Sequence, residues 1–161
     1  MAAQKTRFLL DTACGALLVA VGALGLAPGA SAEEIVAYEV VDGTSIPKPL
    51  TETPGDAARG REVAIDRKQG NCLACHILPI PEQPFHGEVG PDLSAVGGAY
   101  SAGELRLRVV NPKVLNPGTI MPAFYRTDGF QRVAEKFQGK SILTAQQVED
   151  VIAYLMTLKS Q

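Results

Sequence analysis

Five consecutive residues, Cys72-Leu73-Ala74-Cys75-His76, carry the clearest chemistry in this chain. Two thiols separated by two residues and followed at once by an imidazole form the attachment pattern of a c-type haem. Each sulfur can add across one porphyrin vinyl group, and the two-residue spacer lets both reach neighbouring vinyls from one short turn. His76 is then carried beneath the ring, where its imidazole can bind iron. The rival use of such a pair is a redox disulfide. The chain lacks the alternating strand–helix pattern that accompanies that use, and His76 would be left without a purpose.

A six-coordinate haem takes a second ligand on its far face. Met121, Met156 and His86 are the main candidates, with Lys and Tyr weaker ones. Met121 lies in Asn116-Pro117-Gly118-Thr119-Ile120-Met121-Pro122, where prolines forbid helix and stiffen the backbone. A rigid loop 45 residues beyond His76 can curl over the opposite face, so Met121 is the expected ligand. Met156 falls beside the apolar stripe of a C-terminal helix and is expected to be core. His86, ten residues past His76 in a proline-rich loop, is expected to face solvent. A soft thioether favours ferrous iron, which raises the potential relative to two imidazoles. With both axial positions filled there is no open site for a substrate, and electron transfer is the expected function. Within Gly90-Pro91-Asp92-Leu93, the Pro91 carbonyl is the expected acceptor for the Nδ1–H of His76, a plain turn being the alternative. Arg106, Arg108 and Lys113 are candidate partners for the haem propionates, or else form a solvated basic face.

The elements that must hold these residues are mostly helical. Asp56 can cap a helix through Ala57, Gly60, Val63 and Ala64 to about Lys68, with Gly70 leading into the haem turn. A long proline-rich loop spans Ile77 to Gly90. Ser101-Ala102-Gly103-Glu104 is a capping box for a helix through Leu105, Leu107, Val109 and Val110 that stops before Pro112. A second box, Thr144-Ala145-Gln146-Gln147, opens a helix with Val148, Val151, Ile152, Leu155 and Leu158 on one stripe and Tyr154 beside it. Residues 33–53 form an N-terminal extension. Its Ile35–Gly43 run can pair as a short strand, and its apolar residues need cover from a partner or from the domain itself, unless it is a floppy arm. No internal repeat is present, and residues 130–139 carry no assignable feature.

The first 32 residues read as a cleaved export signal: Lys5 and Arg7, the apolar run Leu17–Leu24, then Ala30-Ser31-Ala32. The run is short and Gly-containing for a retained anchor, so no membrane span is expected in the mature chain. Asp11-Thr12-Ala13 is a poor lipobox, and Cys14 is expected to be discarded. Cleavage leaves about 129 residues, enough for one domain over 54–161. It also leaves Cys72 and Cys75 as the remaining cysteines. Removing Lys5, Arg7 and Asp11 from 15 basic and 17 acidic side chains leaves 13 and 16, a net charge near −3. That balance argues against nucleic acid.

Taken in order, the capped first helix, C-x-x-C-H, Gly-Pro-x-Leu, the Met-Pro loop and the final amphipathic helix resemble class I cytochromes c over Pro54 to Lys159. More narrowly, several blocks resemble the X subunits of the SoxAX sulfur-oxidation cytochromes. These are Gly70–His76, Val89–Leu93, Asn111-Pro112, Asn116–Tyr125 and Leu143–Val151. The resemblance implies one covalent haem c held by Cys72 and Cys75, iron ligation by His76 and Met121, and a periplasmic location. It also implies a SoxA-type partner subunit that carries the catalytic cysteine, with no catalytic residue in this chain. Electrons released when thiosulfate is joined to the carrier cysteine of SoxYZ would pass through the haems to a downstream cytochrome c. The competing reading is a free-standing, diffusible periplasmic cytochrome c of a respiratory chain. A third is a haem-based gas sensor or peroxidase, which needs Met121 displaced.

Overall fold

The computed structural model describes residues 35–159. The expected export signal, its cleavage after Ala32, the start at Glu33 and Cys14 lie outside the described residues. Among the described residues regular structure is helical: α1 (Ala57–Ile65), α2 (Val96–Ala99), α3 (Ala102–Val110) and α4 (Ala145–Thr157). Short 3-10 turns lie at Cys72–Ala74, Pro112–Val114 and Glu135–Phe137.

The caps sit where local chemistry puts them. Asp56 accepts from the Arg59 N–H at 2.9 Å and starts α1. Ser101 with Glu104, and Thr144 with Gln147, form complete capping boxes on α3 and α4. Helix α1 ends at Ile65, earlier than its expected end near Lys68. Asp66 stops it: its carboxylate accepts from the Lys68 N–H at 2.8 Å and its carbonyl from Asn71 N–H at 3.0 Å. These bonds compete with the helical ladder. Helix α2, four residues long, carries no capping or periodicity signal in the sequence; Gly97 lets it lie against the end of α4, where its N–H donates to the Leu158 carbonyl at 2.7 Å.

Helices α1 and α4 cross backbone to backbone. A Cβ on Gly60 would stand 1.9 Å from the Asp150 carbonyl oxygen, so only glycine fits that crossing. Asp150 clamps the same junction, accepting from Asp56 N–H at 2.8 Å and from Arg59 Nε and Nη2, each at 2.9 Å. The α4 stripe of Val148, Val151, Ile152 and Leu155 is buried, each such side chain contributing about 1.5–3 kcal/mol. Tyr154 is buried beside it, and Met156 is half-buried against the core.

The N-terminal extension is covered by the domain itself. Ile46 is fully buried and Leu50 nearly so. The expected strand is reduced to an isolated antiparallel bridge, Val41 with Ser45, around a turn where Asp42 and Gly43 have φ of 51° and 67°. Register comes instead from a buried ion pair. Arg106 Nε and Nη2 donate to Glu149 at 2.7 and 2.9 Å, and Arg106 Nη1 donates to the Ile46 carbonyl at 2.7 Å. Glu149 Oε1 also accepts from the Leu50 N–H at 2.9 Å. Arg106, a candidate propionate partner by sequence, is therefore a structural cation that joins α3, α4 and the arm. Its pattern on α3 resembled a surface charge because the acceptors that bury it are remote in sequence.

Candidate haem crevice

The Cys72–His76 segment is wound by its own backbone. Asn71 turns the chain at φ 47°, ψ 37°, a left-handed conformation that asparagine tolerates. The N–H groups of Cys75 and His76 then donate to the Cys72 carbonyl at 3.1 and 2.9 Å. Leu73 points into the core and anchors the turn. Cys72, Cys75 and His76 are thereby set on one wall of an apolar cavity of about 440 Å³.

Burial pushes the Cys72 thiol up to about 11, with Cys75 adding to the shift. A redox C-x-x-C works through a lowered thiol pKa, so this environment opposes that use.

The proline-rich loop is stitched back under the turn. Gly87 N–H donates to Leu73 O at 2.8 Å, Gly90 N–H to Cys75 O at 2.7 Å and Leu93 N–H to Ile77 O at 2.9 Å. This brings the Pro91 carbonyl oxygen to 2.8 Å from His76 Nδ1. A carbonyl can only accept, so Nδ1 carries the proton and Nε2 keeps its lone pair for a metal. Gly90 is what permits the approach: a Cβ there would lie 2.3 Å from His76 Cε1 and 2.5 Å from Nδ1. Gly87 is as tightly placed, with a Cβ falling 2.1 Å from the Ala74 carbonyl oxygen. Gly90 stands in the Gly90-Pro91-Asp92-Leu93 segment that the sequence marks for the His76 contact, whereas Gly87 carries no such signal beyond being a glycine in a proline-rich loop.

Met121 lines the same cavity as His76. Its loop is held by Asn116 Oδ1, which accepts from Gly118 N–H at 3.0 Å, and by Thr119 Oγ1, which accepts from Met121 N–H at 3.2 Å. Lys113, another candidate propionate partner, donates to the Thr119 carbonyl and so braces that loop. A second lobe of about 480 Å³ shares His76, Pro91 and Met121 and is bordered by Arg108 and Tyr100. The Arg108 guanidinium stacks 4.0 Å from the Tyr100 ring centroid and donates to the Glu104 carbonyl at 3.0 Å. Val109, Leu143, Val151 and Leu155 close the apolar interior.

His86 lines neither lobe. Contrary to the expected solvent-facing side chain, it is half-buried, its Nδ1 accepting from Leu78 N–H at 3.2 Å while Nε2 is buried without a partner. Folding of the proline-rich loop onto the haem turn encloses it.

The donor set fits a haem: an imidazole nitrogen and a thioether sulfur border an apolar space, with two thiols on its wall.

Residues 57–159 match the cytochrome c family. No curated protein matches the chain. Among solved structures, a chain of the crystal structure of SoxXA from P. pantotrophus is similar at 39% identity with a TM-score of 0.70. The match covers 76% of this chain and 95% of that one. The mostly helical expectation and the resemblance drawn from sequence both agree with these similarities.

Proposed function

The chain belongs to the cytochrome c family, whose members carry covalent haem c and transfer electrons, and from that premise we propose that it is the monohaem subunit of a SoxXA-type complex. The observation that carries this reading is the likeness to the SoxXA chain, which extends over 95% of that chain.

Haem c bound in the crevice supplies a one-electron ferric–ferrous couple. Cys72 and Cys75 would hold it by thioethers, and His76 Nε2 and the Met121 sulfur would bind its iron. The Pro91 carbonyl fixes the His76 tautomer and ring plane, which raises the basicity of Nε2. The apolar walls from α3 and α4 exclude water, and the Met121 thioether would shift the couple toward the ferrous state. With its iron bound by both His76 and Met121, the haem would serve electron transfer rather than substrate binding, which makes this chain an electron conduit.

The reaction it serves joins thiosulfate to the carrier cysteine of SoxYZ. A sulfur–sulfur bond forms, the thiol proton leaves, and two electrons depart one at a time toward a downstream cytochrome c. The cysteine that does this chemistry belongs to a SoxA-type partner, since among the described residues the cysteines are Cys72 and Cys75, both committed to the haem. The complex works in the periplasm. Among the described residues no helix is long and apolar enough to cross a membrane.

Purification from the native source tests the reading. The expected result is co-elution at high salt with a second haem-containing chain. Elution alone, with full electron exchange toward a respiratory oxidase, would instead establish the diffusible carrier.

A further inference from the structure

Beside the haem crevice, Lys68 with residues 126–130, 132–133 and 137–142 lines a groove of about 700 Å³. We infer that this groove docks an acidic protein face, that of a redox protein with which the chain exchanges electrons; the inference rests on the electron-transfer reading above.

Three observations converge. The first is charge. Lys68, Arg126, Arg132 and Lys140 border the groove against one acid, Asp128, in a chain whose net charge is −2. Asp128 and Arg126 pair with each other, carboxylate to Nε at 3.5 Å, so their charges cancel and Lys68, Arg132 and Lys140 leave the lining at +3 (four cations minus one acid). The lining is thus strongly positive against the sign of the whole molecule, and a local field of this kind selects and steers a negative partner.

The second is apolar surface. Phe130 and Phe137 stand 46% and 57% exposed among these cations. Arg126 lies 5.6 Å from the Phe130 ring centroid and Lys136 4.8 Å from that of Phe137. Exposed aromatics inside a charged rim have the anatomy of a protein interface, with rings to anchor and charges to orient.

The third is position. Ile142, 45% exposed, lines both the groove and the lobe that holds His76 and Met121. Ile120, 76% exposed, and Val89, 68% exposed, border that same lobe. A partner seated on Phe130 and Phe137 therefore extends over the crevice mouth, where electron exchange requires it.

Polyglutamate serves as the acidic probe. It is titrated into isotope-labelled holoprotein at low and high salt, and amide shifts are followed by NMR. Shifts centred on Lys68 and residues 126–142 at low salt, and lost at high salt, are expected. Arg132→Glu with Lys140→Glu should weaken binding about tenfold or more with an unchanged haem spectrum, whereas Lys48→Glu, outside the groove, should not. If the reversal variant does not fold, Arg132→Gln with Lys140→Gln gives the same comparison with less electrostatic stress. Shifts centred elsewhere, or equal affinity in the folded charge variant, would overturn the inference. So would a salt-insensitive dimer in sedimentation that covers Phe130, because a second copy would then own the groove. Failure of the underlying function is separately visible: a holoprotein that hexacyanoferrate can neither oxidise nor reduce refutes electron transfer and removes the redox partner with it.

Discussion

Gly90→Ala puts the proposed axial ligand geometry under direct test. The new Cβ would fall 2.3 Å from His76 Cε1, whereas ordinary contact begins at 3.4 Å, so ring and loop must separate by 1.1 Å (3.4 minus 2.3). The Nδ1–O distance of 2.8 Å cannot absorb that shift, since a retreat of the full amount along the bond brings it to 3.9 Å, beyond hydrogen-bond range. Losing the outer partner of a ligating histidine weakens its metal bond by about 10- to 100-fold. Acid competes with iron for Nε2, and each tenfold loss in iron affinity lets the proton win one pH unit higher. The acid midpoint for loss of His76 ligation in the ferric holoprotein, followed by Soret absorbance, should therefore rise by about 1–2 pH units. Gly98→Ala, where a Cβ meets nothing within 4 Å, is the control and should leave the midpoint in place. If Gly90→Ala, with haem still covalently attached, titrates like the wild type, the account of the His76 environment is wrong.

Other consequences are accessible to the same protein. Glu149→Leu strands the buried Arg106 guanidinium and removes the acceptor of Leu50 N–H, and should cost about 3–5 kcal/mol in denaturant unfolding. Adding Arg106→Met should recover much of that loss; a double variant as unstable as the single one would contradict the ion-pair argument. Met121→Ala should leave haem attached, lower the reduction potential and admit carbon monoxide to the ferrous iron; an unchanged potential would remove Met121 as ligand. Asp150 is buried, which opposes ionisation, yet Arg59, the Asp56 N–H and Gln146 outweigh that and hold its carboxyl below its ordinary 3.8. A depressed folded-state pKa means stability that is complete well above pH 3.8 and lost as pH falls through the lower folded value. Melting temperature should decline over that acid window in the wild type, with a smaller decline in Asp150→Asn.

The arm and the crevice depend on one another through α3 and α4. Arg106 and Glu149 hold the arm from one side, while Val109, Val151 and Leu155 of the same helices line the haem cavity. The Tyr125 hydroxyl accepts from Val36 N–H at 2.9 Å, and Leu143 N–H reaches the Phe124 carbonyl at 2.9 Å, so the chain beyond the Met121 loop is fastened to both. Loosening the arm should therefore be felt in the packing around the haem as well as at the N-terminus.

Much of this protein can be read from residues that are near neighbours along the chain. The three N-caps, the α4 stripe and the C-x-x-C-H turn each depend on interactions within about one or two helical turns, and such interactions survive in any tertiary context. Other features join positions far apart. Arg106 became a buried structural cation because Glu149, 43 residues away, and Ile46, 60 away, converge on it. The arm found its cover, His86 its enclosure and Gly90 its contact with the His76 ring only when the loops folded back. A sequence written in one dimension specifies which groups want partners; which distant group arrives is set by how the helices pack, because burial and backbone approach are properties of the assembled core.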